Sequence, residues 1–241
     1  SPSYLDLLAA GELDSRTSAL VSRLDSCDLC PRRCGTNRAA GASDGWCRTG
    51  VRPRVSAAYP HFGEESVLVG KGGSGTVFFC ECNLRCVFCQ NEEISHGGGG
   101  REVEADGLAA LFLGLQAAGC ENINLVTPSH VPHAILEAVG IAARRGLRLP
   151  LVWNSSGFES IETLRALDGV VDVYLPDFKS SSPDTAGRLL NAPDYPDVAR
   201  AAIAEMHRQV GDLIVDDDGV ARRGLLVRHL VMPGATADAS E

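Results

Sequence analysis

Nine cysteines stand at positions 27, 30, 34, 47, 80, 82, 86, 89 and 120 of the 241-residue chain, and seven of them fall into two tight groups. The sharper group is Cys82-Asn83-Leu84-Arg85-Cys86-Val87-Phe88-Cys89, a C-x3-C-x2-C spacing. Three thiolates from one short loop can cap three irons of a [4Fe–4S] cube, and soft sulfur ligands suit that chemistry. A cube has four irons, so one would stay open for a substrate or cofactor to chelate. A zinc site is the bland alternative. Zinc prefers paired C-x2-4-C units and four ligands, which a lone three-cysteine loop does not supply.

The other group, Cys27-x2-Cys30-x3-Cys34-x12-Cys47, offers four thiolates and so a closed site. Two readings compete for it: a structural zinc with four cysteine ligands, or an auxiliary [4Fe–4S] cluster. The tight spacing of its first three cysteines tips the balance towards the cluster. Four free thiols in a stretch with few other core residues are not expected. Cys80 and Cys120 are isolated, and Cys80, on a buried strand, reads as packing. No basic segment followed by an apolar one opens the chain, so no secretory signal is read and a cytoplasmic location is expected. An odd cysteine count in that setting points to metal chemistry rather than disulfides.

The elements that must position these groups come in two textures. Residues 3–24 carry apolar positions at helical spacing and predict one or two short helices broken near Gly11. Residues 25–58 are rich in Cys, Gly, Arg and Pro and show neither helical nor strand period. From Ser66 the pattern alternates. Strands are predicted at Thr76–Cys80, Asn122–Val126, Pro150–Trp153, Val171–Leu175 and Leu225–Val231. Helices are predicted at Ala105–Ala118, Val131–Arg144, Ser160–Leu167 and Ala199–Val210. Residues 81–101 read as an irregular loop whose Gly97–Gly100 run is a flexible connection. Repeated β-α units argue a parallel sheet with helices outside. The division is thus an N-terminal helical and Cys-rich extension, 1–65, and an α/β domain, 66–241. The last strand runs into Met232-Pro233-Gly234, and a curved sheet stopping there looks unfinished.

The cluster loop has the form C-x3-C-x-Φ-C with Phe88 at the aromatic position, and it resembles the radical S-adenosylmethionine (SAM) superfamily. With the segments CNLRCVFCQNEEIS, VWNSSGFE, VDVYLPDFK and LLVRHLVMPG, the chain is similar to proteins related to pyruvate formate-lyase activating enzyme. The resemblance runs from about residue 25 to the end. It implies a partial (β/α)6 barrel, here ending after strand five, with its chemistry at the C-terminal strand ends. It also implies that Cys82, Cys86 and Cys89 bind the cluster, that SAM binds the open iron, and that Phe88 lies near the adenine. Asp177 and Lys179 match positions at the SAM ribose and its neighbours. Arg228 matches a basic residue facing the methionine carboxylate. These types suit the tasks, since a carboxylate accepts from ribose hydroxyls and a guanidinium grips a carboxylate in a fork.

The chain departs from the pattern in places. Where many relatives carry Gly-Gly-Glu to bind the SAM amino group, it has Thr127-Pro128-Ser129-His130, leaving hydroxyls of Thr127 and Ser129 or backbone groups to replace the acceptor. Asn154 opens a run where activating enzymes carry a carboxylate, so a monovalent cation there would be held more weakly. Among weaker signals, His130 and His133 stand three apart at a helix start, where capping by Ser129 or Thr127 is the bland reading and a His130 facing the substrate cavity the functional one. Arg228 and His229 point to opposite faces, which would pack His229 against outer helices. Lys71–Gly75 precedes a strand rather than a helix and is no phosphate loop.

Composition narrows the functional classes. A net charge of −9 argues against a general nucleic-acid or membrane-surface binder, and 44% apolar with 22% charged residues argues against disorder. No apolar run reaches the ~20 residues of a membrane span. The expected function is therefore a radical SAM enzyme. An electron passed to SAM yields a 5′-deoxyadenosyl radical that abstracts hydrogen from a substrate, a glycine of a partner protein if the activating-enzyme resemblance extends that far. The alternatives are a small metabolite or peptide substrate, or a non-catalytic iron–sulfur carrier or scaffold. A low-potential donor of flavodoxin or ferredoxin type is the implied partner. Because the two cysteine groups are separate in sequence, loss of the first is expected to leave the chemistry of the second partly intact.

Overall fold

The computed structural model describes residues 1–231; the sequence-derived strand end at Met232-Pro233-Gly234 lies outside them. Two helices open the chain, α1 (Tyr4–Ala9) and α2 (Glu12–Ser22), with Gly11 between them at φ +72°. They are followed by β1 (Arg54–His61), α3 (Ser66–Val69), β2 (Ser74–Phe79), α4 (Glu92–Ser95), β3 (Arg101–Glu102) and α5 (Ala105–Ala117). Then come β4 (Ile123–Val126), α6 (Pro132–Arg144), β5 (Leu151–Ser155), α7 (Ile161–Ala166) and β6 (Val173–Phe178). The described part closes with α8 (Pro183–Leu190), α9 (Tyr195–Val210), β7 (Ile214–Val215), β8 (Ala221–Leu225) and β9 (Arg228–His229).

The strands form one mixed, mostly parallel sheet in the order β3-β1-β2-β4-β5-β6-β8-β7, with β9 parallel to the end of β6. The run β2-β4-β5-β6-β8 is parallel throughout. Its central strand β5 is buried at every residue, as a strand covered on both faces must be. One core joins Val77, Ile123, Leu125 and Trp153 of the sheet to α5 and α6, and it also takes in Tyr4, Leu13, Leu20 and Leu24 of the N-terminal helices. The N-terminal helices therefore share the apolar layer between the sheet and α5 and α6 rather than forming a core of their own. Tyr4 is fully buried, and its hydroxyl donates to the Leu149 carbonyl at 3.0 Å.

Several expectations are corrected. The stretch read as patternless contains most of β1, which pairs antiparallel with β2. Its burial does not alternate cleanly, because a bulge shifts register between Val55 and Ala57. The final strand is split. β8 ends at Leu225, and Gly224 sits at φ +123°, where a Cβ would meet the Asp212 carbonyl at 2.4 Å. The chain then turns and rejoins the sheet only at Arg228 and His229. The α8 helix escaped notice because it is short, although Ser182 caps it by accepting from the Thr185 amide. The Gly97–Gly100 run is no loose tether at its end, for a Cβ on Gly100 would lie 2.3 Å from the Cys80 sulfur. That close approach lets β3 pair with β1. Among the described residues no helix is long and apolar enough to cross a membrane.

Candidate functional site

The C-terminal end of β2 delivers the chain directly into the three-cysteine loop. Its entry is braced by Glu81 and Arg85, both at positive φ (66° and 62°) and joined by a buried ion pair of 3.0 Å. The Asn83 side chain is fully buried and donates to the Phe158 carbonyl at 2.7 Å. The Val87 amide donates to the Leu189 carbonyl at 2.9 Å, tying the loop to the end of α8. Cys82, Cys86 and Cys89 all open onto one cavity of about 420 Å³ at the C-terminal strand ends.

The same cavity is lined by Phe88, Thr127, Asn154, Asp177, Lys179 and Arg228. Asp177 and Lys179 share a strand face, with the Lys179 ammonium donating to Asp177 at 2.7 Å. Arg228 reaches across from β9, donating through Nε to Asp177 at 2.7 Å and through Nη2 to the Asn154 amide oxygen at 2.6 Å. A close approach under Asp177 permits this, because Gly157 (φ +75°) packs where a Cβ would lie 2.8 Å from the Asp177 carbonyl. The Tyr195 hydroxyl, buried beneath, donates towards that carbonyl and accepts from the Lys179 amide. Thr127 is at φ +60°, and its amide donates to the Asn154 carbonyl.

Ser129 is not brought to the cavity. It is 1% exposed, and its hydroxyl donates to Glu159 at 2.6 Å. It caps no helix either, since α6 begins after Val131 without a side-chain cap. His130 is equally interior, hydrogen-bonded through Nε2 to the Cys80 carbonyl at 3.0 Å. Burial pushes its pKa down to about 3, with Arg38 adding to the effect. His229, expected under outer helices, is exposed at the cavity rim and stacks on Phe178 at 5.9 Å, because among the described residues no helix covers two-residue β9.

Sequence reasoning missed Glu64. Its carboxylate accepts from Arg228 at 3.1 Å and from the Asn124 and Asn154 amides at 3.0 and 2.9 Å. No motif marks it, since it reaches the barrel interior from the connection between β1 and α3. Glu159 was also missed. It is buried, accepts from Ser129 and from the Trp153 indole at 3.0 Å, and has a raised pKa because of burial.

The electrostatics of the cavity follow from burial and from its cations. Burial raises Cys82, opposed by the Arg85 and Leu84 amides and by Lys179. The Leu84 amide donates to its sulfur at 3.3 Å. Burial likewise pushes Cys86 up to about 12, again opposed by Lys179. Burial alone would lower Lys179, but Asp177 and the two cysteines outweigh it and hold its pKa above the ordinary value. Cys89 lies 3.1 Å from the Ser95 hydroxyl, which is 2.7 Å from His96 Nδ1. Buried thiols beside cations on one loop are a donor set that an iron–sulfur group fits, since bound iron would compensate the charge that burial disfavours.

The N-terminal cysteines lie behind this loop. Cys27, Cys30 and Cys47 are buried and close enough that charge on one would raise another's pKa. Burial lifts Cys30 to about 12. Cys34 is exposed; burial would raise it, but the Thr36 amide and hydroxyl and the Trp46 amide hold it below its usual value. Among the described residues no three His, Cys, Asp or Glu side chains converge as a single metal ion requires, in either group.

A mostly parallel α/β sheet thus presents three loop cysteines in one cavity at its C-terminal strand ends. The profile of the Radical SAM superfamily matches residues 76–236. The chain belongs to the radical SAM superfamily, a family name that implies a [4Fe–4S] cluster and SAM. It is 31% identical over 235 residues to "Uncharacterized protein MJ0674" of Methanocaldococcus jannaschii. That match takes in 95% of this chain and 63% of the relative, so the chain spans less than two thirds of that relative's length.

Proposed function

We propose that Cys82, Cys86 and Cys89 hold a [4Fe–4S] cluster and that the cavity they line binds SAM against it. The observation that carries this is the meeting of the three thiols with Asp177, Lys179, Arg228 and Asn154 in one cavity. When bound, the cluster supplies one electron to the SAM sulfonium, releasing methionine and a 5′-deoxyadenosyl radical that takes hydrogen from a substrate C–H bond. Asp177 accepts from the ribose hydroxyls, and Lys179 holds its carboxylate in place with a 2.7 Å hydrogen bond. Arg228, oriented by Asp177, Asn154 and Glu64, offers its guanidinium to the methionine carboxylate. Phe88 stands at the adenine. Thr127 turns its backbone towards the amino group, and Ser129 is dropped from the SAM contacts in favour of bracing Glu159.

The substrate proposed is a glycine of a partner protein, on the resemblance to activating enzymes, with a small metabolite or peptide as the alternative. The exposed rim of His229 and Leu230 supports access for a partner's loop. The N-terminal cysteines are proposed to hold a second [4Fe–4S] cluster. The amide donors on Cys34 and the three buried neighbouring thiols support it, and a cube, unlike zinc, does not need its four ligands to meet at one atom. These cysteine centres are proposed to work in the cytoplasm, where thiols stay reduced.

The test is anaerobic reconstitution followed by dithionite and SAM. Release of 5′-deoxyadenosine supports the reading, and its absence with iron fully loaded reduces the chain to a carrier. Metal analysis settles the second centre, where about eight irons per chain are expected and one zinc beside a single cube would overturn it.

A further inference from the structure

Arg32 lies between Cys30 and Cys34, yet its side chain serves the other cysteine group. Nε donates to the Asn83 carbonyl at 2.8 Å, and Nη2 to the Leu84 carbonyl at 3.3 Å. On its far side it donates to the carbonyls of Asn191 at 2.6 Å and Leu190 at 3.3 Å, where α8 ends. The guanidinium plane is sandwiched, 4.1 Å from the Trp46 ring centre and 5.2 Å from that of Phe158. Among the described residues all four hydrogen-bond partners are backbone carbonyls, and no carboxylate touches the guanidinium there. Lys179 differs, being paired directly with Asp177. Arg32 stands two residues from both Cys30 and Cys34 and binds the carbonyls of Asn83 and Leu84, which lie between Cys82 and Cys86, so its charge sits beside both sets of sulfurs.

We infer that Arg32 couples the two cysteine groups: its fork fixes the backbone of the 82–89 loop, and its uncancelled charge makes the iron–sulfur group on that loop easier to reduce. The inference rests on the cluster assignment for Cys82, Cys86 and Cys89. A positive charge favours the more negative, reduced state, so removing it lowers the potential. The fork is specific to arginine, whereas a lysine keeps the charge but holds all its donors on one nitrogen and cannot span carbonyls on both sides of the guanidinium.

Two variants separate the parts. In Arg32→Met, an EPR-monitored redox titration of the reconstituted protein, following the signal that SAM perturbs, should show a roughly tenfold lower equilibrium constant for reduction, ~59 mV more negative for one electron. In the metal-free protein, amide hydrogen exchange over residues 82–90 should quicken at least tenfold while β4 and β5 stay protected. Arg32→Lys should keep the wild-type potential but show the fast loop exchange. Wild-type potential in Arg32→Met overturns the electrostatic half, and wild-type loop exchange overturns the coupling. If Arg32→Met loses protection everywhere, Arg32→Lys decides: a protected loop in that variant sinks the fork, and an exposed one supports it. Failure of the second-cluster reading shows instead as missing iron in metal analysis and alters neither readout.

Discussion

The two cysteine groups are held by different physics. The 82–89 loop hangs from β2, a strand paired on both sides, so the ladder places its first cysteine before any side chain acts. The 27–47 segment has no helix or strand of its own, and beside its turn hydrogen bonds it is tied to its surroundings by arginines that reach backbone carbonyls. Arg38 is 1% exposed and donates twice to the Gly50 carbonyl and once to that of His130, at 2.8–3.0 Å. Arg23 holds the Asp28 carbonyl at 2.8 Å, and Arg32 clamps the 82–89 loop. A loop on a ladder keeps its backbone when a ligand is lost. A segment held by buried guanidinium groups depends on each of them, because an orphaned buried carbonyl is costly.

The largest effect should come from breaking the ladder-borne group at its centre. Cys86→Ala should abolish 5′-deoxyadenosine production while leaving the far-ultraviolet circular dichroism of the protein unchanged, since only two loop thiolates would remain. Turnover at the wild-type rate would remove the cluster from this loop.

Next, Asp177→Ala should weaken SAM binding by roughly 10- to 150-fold. That corresponds to losing one charge-assisted hydrogen bond of about 1.5–3 kcal/mol. Iron content should not change, and equal affinities in equilibrium binding would make Asp177 a mere partner for Lys179 and Arg228.

The comparison itself is sharpened by Cys27→Ser with Cys30→Ser. Separation in sequence suggests partial independence, but Arg32 joins the groups. SAM cleavage should therefore fall by about tenfold, in line with the charge and loop effects that Arg32 transmits. An undiminished rate would show that the segments are energetically separate despite their contact.

An effect confined to stability, with no direct loss of turnover, is expected for Arg38→Met. Loss of its charged hydrogen bonds should cost about 3 kcal/mol in urea unfolding of the metal-free protein. A change within about 0.5 kcal/mol would break the claim that guanidinium groups hold this segment.

The last concerns pH. His130 and His133 are buried neutral, their pKa values pushed down from 6.5 to about 3 and about 4 by burial and by Arg38. The unfolded chain therefore binds protons below pH 6.5 that the folded chain refuses. Their stabilising contribution is full above 6.5 and is lost as pH falls towards 4 and then 3, approaching about 1.4 kcal/mol per pH unit for each. His130→Gln should flatten that slope in metal-free protein. An unchanged slope would place the acid sensitivity elsewhere.

Much of the barrel was legible from sequence because its strands and helices carry their own periodicity. Asn122–Val126, Pro150–Trp153 and Val131–Arg144 differ from the observed elements only at their ends. Elements stabilised by tertiary partners were not legible: β1, with its bulge, and β9, which exists only because it lies beside Asp177 and Phe178. The site divides the same way. Asp177 and Lys179 could be placed together by strand period. Ser129 could not be excluded, because whether a residue after a strand turns towards the cavity depends on a backbone angle such as the positive φ of Thr127.

The linear order of residues determined the chemistry: a spacing of three cysteines, an aromatic beside the third, and a carboxylate and an ammonium two apart on a strand. These are local facts, set by side-chain type and by periods of a few residues. Tertiary structure alone decided that Glu64 would orient Arg228, that Glu159 would hold Ser129 inward, and that Arg32 would stand between two groups of sulfur. Each of those contacts joins residues 30 to 164 apart, and only packing of the sheet against its neighbours determines which distant polar groups must satisfy one another.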